Sequence, residues 1–85
     1  MSEPREHKVK RLHMRSMRRG IKEMDLILSA YAREELDGMS EAELALYDSL
    51  LNENDQDLYT WVTGQVAPPT EYSVMITAIS QVFQK

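Results

Sequence analysis

No cysteine occurs in the 85 residues, which excludes disulfides, thiol nucleophiles and thiolate metal sites. Glycine and proline are sparse, three of each. The glycines stand apart, so no glycine-rich loop is available to cradle a nucleotide phosphate. Aromatic residues make up 7% of the chain, and none lies among residues 1–22, where a basic segment would need them to stack on bases. No apolar run approaches the ~20 residues that cross a bilayer, so no membrane insertion is expected. No stretch alternates apolar and polar residues as a half-buried strand does.

What is there is a small helical chain with a divided charge. A chain of this length supports one domain over residues 1–85, with a single core and little room for a deep substrate pocket. Its net charge is -4. Residues 1–22 hold eight bases (Arg5, Lys8, Lys10, Arg11, Arg15, Arg18, Arg19, Lys22) against Glu3 and Glu6, a balance of +6. Residues 23–85 hold Arg33 and Lys85 against twelve acids, a balance of -10. This asymmetry suits a cationic face that steers the domain towards an anionic partner, although a merely solvated first helix is the simpler reading. Glu3 and Glu6 are unlike a transit peptide, and there is no apolar secretory segment. A bacterial cytoplasmic protein is therefore expected.

Apolar spacing predicts an all-α fold, a compact five-helix bundle. The first helix runs from about Pro4 to Arg18, and Gly20 suits the left-handed position that ends helices. The second covers Ile21 to Leu36, where Ile21, Met24, Ile27, Leu28 and Tyr31 form one stripe. Ser40 and Glu43 make a capping box for the third, with Met39 placed to staple onto Leu44. The fourth is short, Asp55 to Thr63, and is closed by Gly64. Pro68-Pro69 then enforces an extended stretch. Thr70 is positioned to cap the fifth helix, whose stripe is Tyr72, Met75, Ile76, Ile79, Val82 and Phe83. The expected core includes Ile27, Leu28, Leu44, Leu51, Leu58, Trp61, Ile76 and Ile79. Short connections predict antiparallel or oblique packing.

Little in the chain points to chemistry. His7 and His13 are six apart, on different faces of a helix, and lack partners at metal-ligand spacing. Glu34-Glu35 and Asp55/Asp57 sit on polar faces or at helix starts, without the burial that tunes a catalytic carboxylate. Ser40 has its capping role. Neither autonomous catalysis, a metal nor a stably held cofactor is expected. Nucleic-acid binding by the basic first helix is an alternative, opposed by the acidic remainder of the chain.

Arg18-Arg19-Gly20-Ile21-Lys22-Glu23-Met24-Asp25 offers more than packing requires, and it resembles the Arg-Gly-x-x-Glu signature of the SdhE family of FAD assembly factors. A second block, Leu50-Leu51 followed by Asp55-Gln56-Asp57-Leu58-Tyr59-Thr60-Trp61-Val62-Thr63-Gly64, is similar to that family's acidic turn, short helix, Trp and Gly. Met17 stands where many relatives carry an aromatic. The resemblance covers nearly the whole chain. It implies a monomeric assembly chaperone, not an enzyme, that binds the flavoprotein subunit of succinate dehydrogenase or of fumarate reductase. It further implies that the chaperone promotes covalent attachment of FAD to a histidine of that subunit, which itself forms the bond. Carried over residue by residue, the contact surface is Arg19, Gly20 and Glu23, with Arg18, Lys22 and Asp25 flanking. The family has also been described as the antitoxin half of a toxin–antitoxin pair, a second class of interaction protein.

Overall fold

The computed structural model describes residues 3–83; Lys85, counted above, lies outside them. Five helices follow in order: α1 Arg5–Ser16, α2 Lys22–Glu35, α3 Glu41–Leu50, α4 Asp55–Val62 and α5 Ser73–Phe83. Short 3-10 turns at Leu36–Gly38 and Thr70–Tyr72 lead out of α2 and into α5. Among the described residues there is no strand.

Local chemistry sets most of the boundaries. Pro4 immediately precedes α1, and its carbonyl accepts the Lys8 amide at 3.0 Å. The capping box of α3 is complete. Ser40 Oγ accepts from the Glu43 amide at 3.1 Å, and Glu43 Oε1 accepts from the Ser40 amide at 2.8 Å. Those bonds hold the Glu43 carboxyl below its ordinary range. Asn54 caps α4 by accepting the Gln56 amide at 2.8 Å. Beyond α4, Gly64 takes a φ of +83°, a left-handed turn that glycine makes without a Cβ penalty. Thr70 does not cap α5 as expected. It opens the 3-10 turn, whose preceding residue Pro69 fixes an extended entry.

Most of the expected stripes form the core, but Ile21 and Val82 are only partly buried and Phe83 is exposed. α2 is the spine and packs against α1, α4 and α5. Leu12 of α1 is sealed against Met24 and Leu28 of α2, Leu44 and Leu50 of α3, Leu58 of α4 and Ile79 of α5 in one cluster. Met39 and Leu44 are both buried in it, as a staple requires. Trp61 is the correction among the expected core residues. It is only partly buried, lying over Tyr72 with ring centroids 6.3 Å apart. The aromatic that is fully enclosed is Tyr47 of α3.

Tyr47 also carries the polar tie between α1 and α3. Ser16 Oγ donates to the Leu12 carbonyl at 2.7 Å. Its single proton is thereby used, so at 2.6 Å the Tyr47 hydroxyl is the donor to Ser16 Oγ. Burial pushes the Tyr47 phenol up to about 12. Both buried hydroxyls are satisfied, so the tie carries no desolvation penalty of the kind an orphaned group would.

Candidate functional site: the junction of α1 and α2

α1 stops two residues earlier than its sequence suggests. Met17 is extended, and Arg18, not Gly20, adopts the left-handed conformation, at φ 56°. That conformation costs a side-chain-bearing residue roughly 1–2 kcal/mol. Asp25 offsets it by accepting the Arg18 amide on Oδ2 at 2.8 Å, while its Oδ1 accepts from Ser29 Oγ at 3.3 Å. Asp25 on the first turn of α2 thus pins the loop that leads into α2.

Gly20 is needed for closeness rather than handedness. Its amide donates to Asp55 Oδ2, and a Cβ built on it would stand 3.2 Å from that same oxygen. Arg19 grips the other side of the carboxylate. Its Nε and Nη2 lie 2.8 Å from Asp55 Oδ1. Nη1 donates to the Arg15 carbonyl at 3.0 Å and Nη2 to the Leu51 carbonyl at 3.2 Å. The two side chains are only 12% and 15% exposed. Asp55 is the first residue of α4, where the helix dipole favours a negative charge. Arg19, Gly20 and Asp55 therefore clamp the α1–α2 junction onto the start of α4.

The clamp is the last rung of a ladder. Arg5 and Lys8 reach Glu41 at 2.8 and 3.1 Å. Arg11 reaches Asp48 at 3.0 Å and Glu3 at 2.9 Å. Arg15 pairs with Asp48 and donates to Asn52 Oδ1 at 2.7 Å. Arg5, Lys8, Arg11 and Arg15 recur every three or four residues on one face of α1, and Glu41 and Asp48 lie seven apart on one face of α3; Arg19 and Asp55 lie beyond the ends of those two helices. Hydrogen bonds from Arg11 hold the Asp48 carboxyl below its ordinary value, and those from Arg5 and Lys8 do the same for Glu41.

This alters the reading of the basic segment. Five of its eight bases are spent on internal pairs, Arg15 among them, so α1 is not a free cationic face. A phosphate backbone would have to break the ladder to use those five, which removes the physical basis of the nucleic-acid alternative. Among the described residues, Lys10, Arg18 and Lys22 are the bases of this segment whose side chains make no hydrogen bond or ion pair. Of the expected contact residues, Arg19, Gly20 and Asp25 make the bonds that hold the junction, although Gly20 is itself exposed. Arg18, Lys22 and Glu23 are exposed, and their side chains make no hydrogen bond or ion pair among the described residues. Asp55 was expected as a helix start within the second resembling block, and no local pattern signalled its grip on Arg19 and Gly20.

A cleft of about 280 Å³ adjoins Glu23, lined by Leu26, Ile27, Ala30, Val82 and Phe83. Apolar walls with one carboxylate at the rim do not fit a flavin dinucleotide, whose pyrophosphate needs donors or cations there.

Comparison with known proteins gives the junction its context. Residues 10–83 match the model of a protein family described as flavinator of succinate dehydrogenase. The mitochondrial succinate dehydrogenase assembly factor 2 of Meyerozyma guilliermondii is 49% identical over 61 residues, covering 72% of this chain and 45% of the relative. Its counterpart in Saccharomyces cerevisiae is 52% identical over 62 residues, covering 73% and 38%. Assembly factor 2-B of Drosophila mojavensis is 42% identical over 76 residues, covering 87% and 48%. The chain spans half or less of the length of these relatives. All three are mitochondrial proteins, which overturns the expectation of a bacterial cytoplasmic one. That expectation leaned on the lack of a leader, and a chain matching half of its relatives says nothing about leaders. The match spans both resembling blocks and the whole Arg19–Asp55 clamp: the chain belongs to the flavinator family of succinate dehydrogenase.

Proposed function

We propose that this chain is an assembly chaperone that binds the flavoprotein subunit of succinate dehydrogenase and promotes covalent attachment of FAD to it. The observation that carries the reading is the division of labour at the motif. Arg19, Gly20 and Asp25 are bonded inward, and Arg18, Lys22 and Glu23 are left exposed and unpaired on a junction too constrained to collapse. A junction whose backbone is already fixed avoids the loop-ordering entropy that docking otherwise costs, which is what an interface needs. Glu23 accepts hydrogen bonds from the partner, and Arg18 and Lys22 meet its carboxylates or carbonyls.

In this reading the chain binds as a monomer and catalyses nothing itself. FAD and the histidine that receives it belong to the partner, consistent with the misfit of the cleft beside Glu23 to a dinucleotide. The test is to mix the purified chain with the apo flavoprotein subunit and FAD, then follow flavin fluorescence of the denatured subunit on a gel. Faster accumulation of covalent flavin with the chain than without it supports the proposal. Equal accumulation refutes it.

A further inference from the structure

Beyond the motif, one face of α2 is left uncovered. Lys22, Glu23, Leu26 and Arg33 recur at helical spacing and are all exposed, Ala30 between them only partly covered. Leu26 is 63% exposed, although its neighbours Ile27 and Leu28 are buried. Phe83, at the end of α5, is 44% exposed and faces the same cleft as Leu26, with Val82 and Ala30 in its walls. At about 280 Å³ the cleft falls just below the ~300–1,000 Å³ of small-molecule sites, and it is a better match for apolar side chains than for a cofactor. Glu23 belongs to both surfaces: it is the last residue of the motif and the rim of the cleft. Arg33, whose side chain makes no hydrogen bond or ion pair among the described residues, extends the same face.

Resting on the functional reading above, we infer that the docking surface continues from Glu23 along α2 into the Leu26–Phe83 cleft, where the flavoprotein subunit seats an apolar side chain beside a basic one. The charge pattern selects that occupant. An apolar knob fills the cleft, an adjacent Lys or Arg pairs with Glu23, and an acidic group meets Lys22 or Arg33. Such an arrangement, an apolar anchor ringed by polar pairs, is where binding energy concentrates in protein interfaces.

The test uses the full chain and the purified apo flavoprotein subunit, with affinity read by titration. Leu26→Asp should weaken binding by about tenfold or more, as loss of a central anchor does. Phe83→Ser should weaken it as well, and serves if Leu26→Asp melts early. Val74→Asp alters an apolar residue that is 85% exposed and does not line the cleft, so it should bind like wild type. Wild-type affinity in Leu26→Asp and Phe83→Ser, with loss in Glu23→Ala, would overturn the inference while leaving the motif reading intact. A wild-type chain that does not bind the subunit would overturn both. Sedimentation of the wild-type chain alone as a dimer that Leu26→Asp dissolves would assign the cleft to a second copy, and the inference would be wrong.

Discussion

Replacing Arg19 with alanine separates a clamp from a surface contact. The arginine is 12% exposed and donates to Asp55, Arg15 and Leu51. Its removal leaves a carboxylate that is 15% exposed and two carbonyls short of a donor. Breaking a fully buried pair costs about 3–5 kcal/mol. Here the Gly20 amide and the α4 dipole still serve Asp55, and water enters at the rim, so about 2–4 kcal/mol is appropriate. For a domain of this size each kcal/mol lowers the melting temperature by ~4–8 °C, giving a fall of roughly 8–32 °C. Arg19→Lys keeps the charge but loses the planar fork, and should fall about half as far. Thermal melts by circular dichroism measure both. An Arg19→Ala variant melting within about 3 °C of wild type would show the clamp to be energetically idle, as exposed ion pairs often are.

Gly20→Arg should cost roughly 1–3 kcal/mol through the Cβ forced against Asp55, and should lose partner binding beyond what that destabilisation explains; unchanged binding in a folded variant would contradict it. Arg18→Gly should melt no lower than wild type and up to about 1 kcal/mol higher, because glycine relieves the left-handed position; a clear fall in the melt would show that the Arg18 side chain supports the fold. The ladder sets the acid limb of stability. Asp48 and Glu41 have folded-state values held below their ordinary 3.8 and 4.5, so their contribution is present above those values and is lost as pH falls through the depressed ones, below about pH 4. Tyr47 works in the other direction: raised to about 12 from 10.0, it contributes below pH 10.0 and its contribution is lost as pH rises towards 12. Melts across pH should therefore fall at both extremes, and Asp48→Asn should flatten the acid limb; an unchanged acid limb in that variant would remove the ladder from the account.

The helices and most of the core were legible because both follow from spacing along one chain. Ile27, Leu28, Leu44, Leu51, Leu58, Ile76 and Ile79 are buried where the 3.6-residue period placed them. The Ser40–Glu43 box was legible for the same reason, since its partners are three residues apart. Pairings between helices were not. Whether Arg15 and Arg19 face solvent or Asp48 and Asp55 depends on how α1 lies across α3 and α4, which no local pattern states. The left-handed residue was misplaced because glycine is the usual occupant, whereas here Asp25 supports Arg18 in that role. Trp61 lies at the edge of the core over Tyr72, while the fully buried aromatic is Tyr47, whose hydroxyl has a buried partner in Ser16. Asp55 was recognisable as a helix start, but its grip on Arg19 and Gly20 exists only in three dimensions.

Glu23 offers the most direct measurement, because it is exposed and its side chain makes no hydrogen bond or ion pair among the described residues. Glu23→Ala should melt within about 1 kcal/mol of wild type, the usual worth of a first-turn acid at a helix start. Covalent flavin on the flavoprotein subunit, read by in-gel fluorescence in cells lacking the endogenous factor, should nevertheless drop sharply with this variant. Full flavinylation by a Glu23→Ala chain that melts like wild type would show that the exposed half of the motif does not touch the partner.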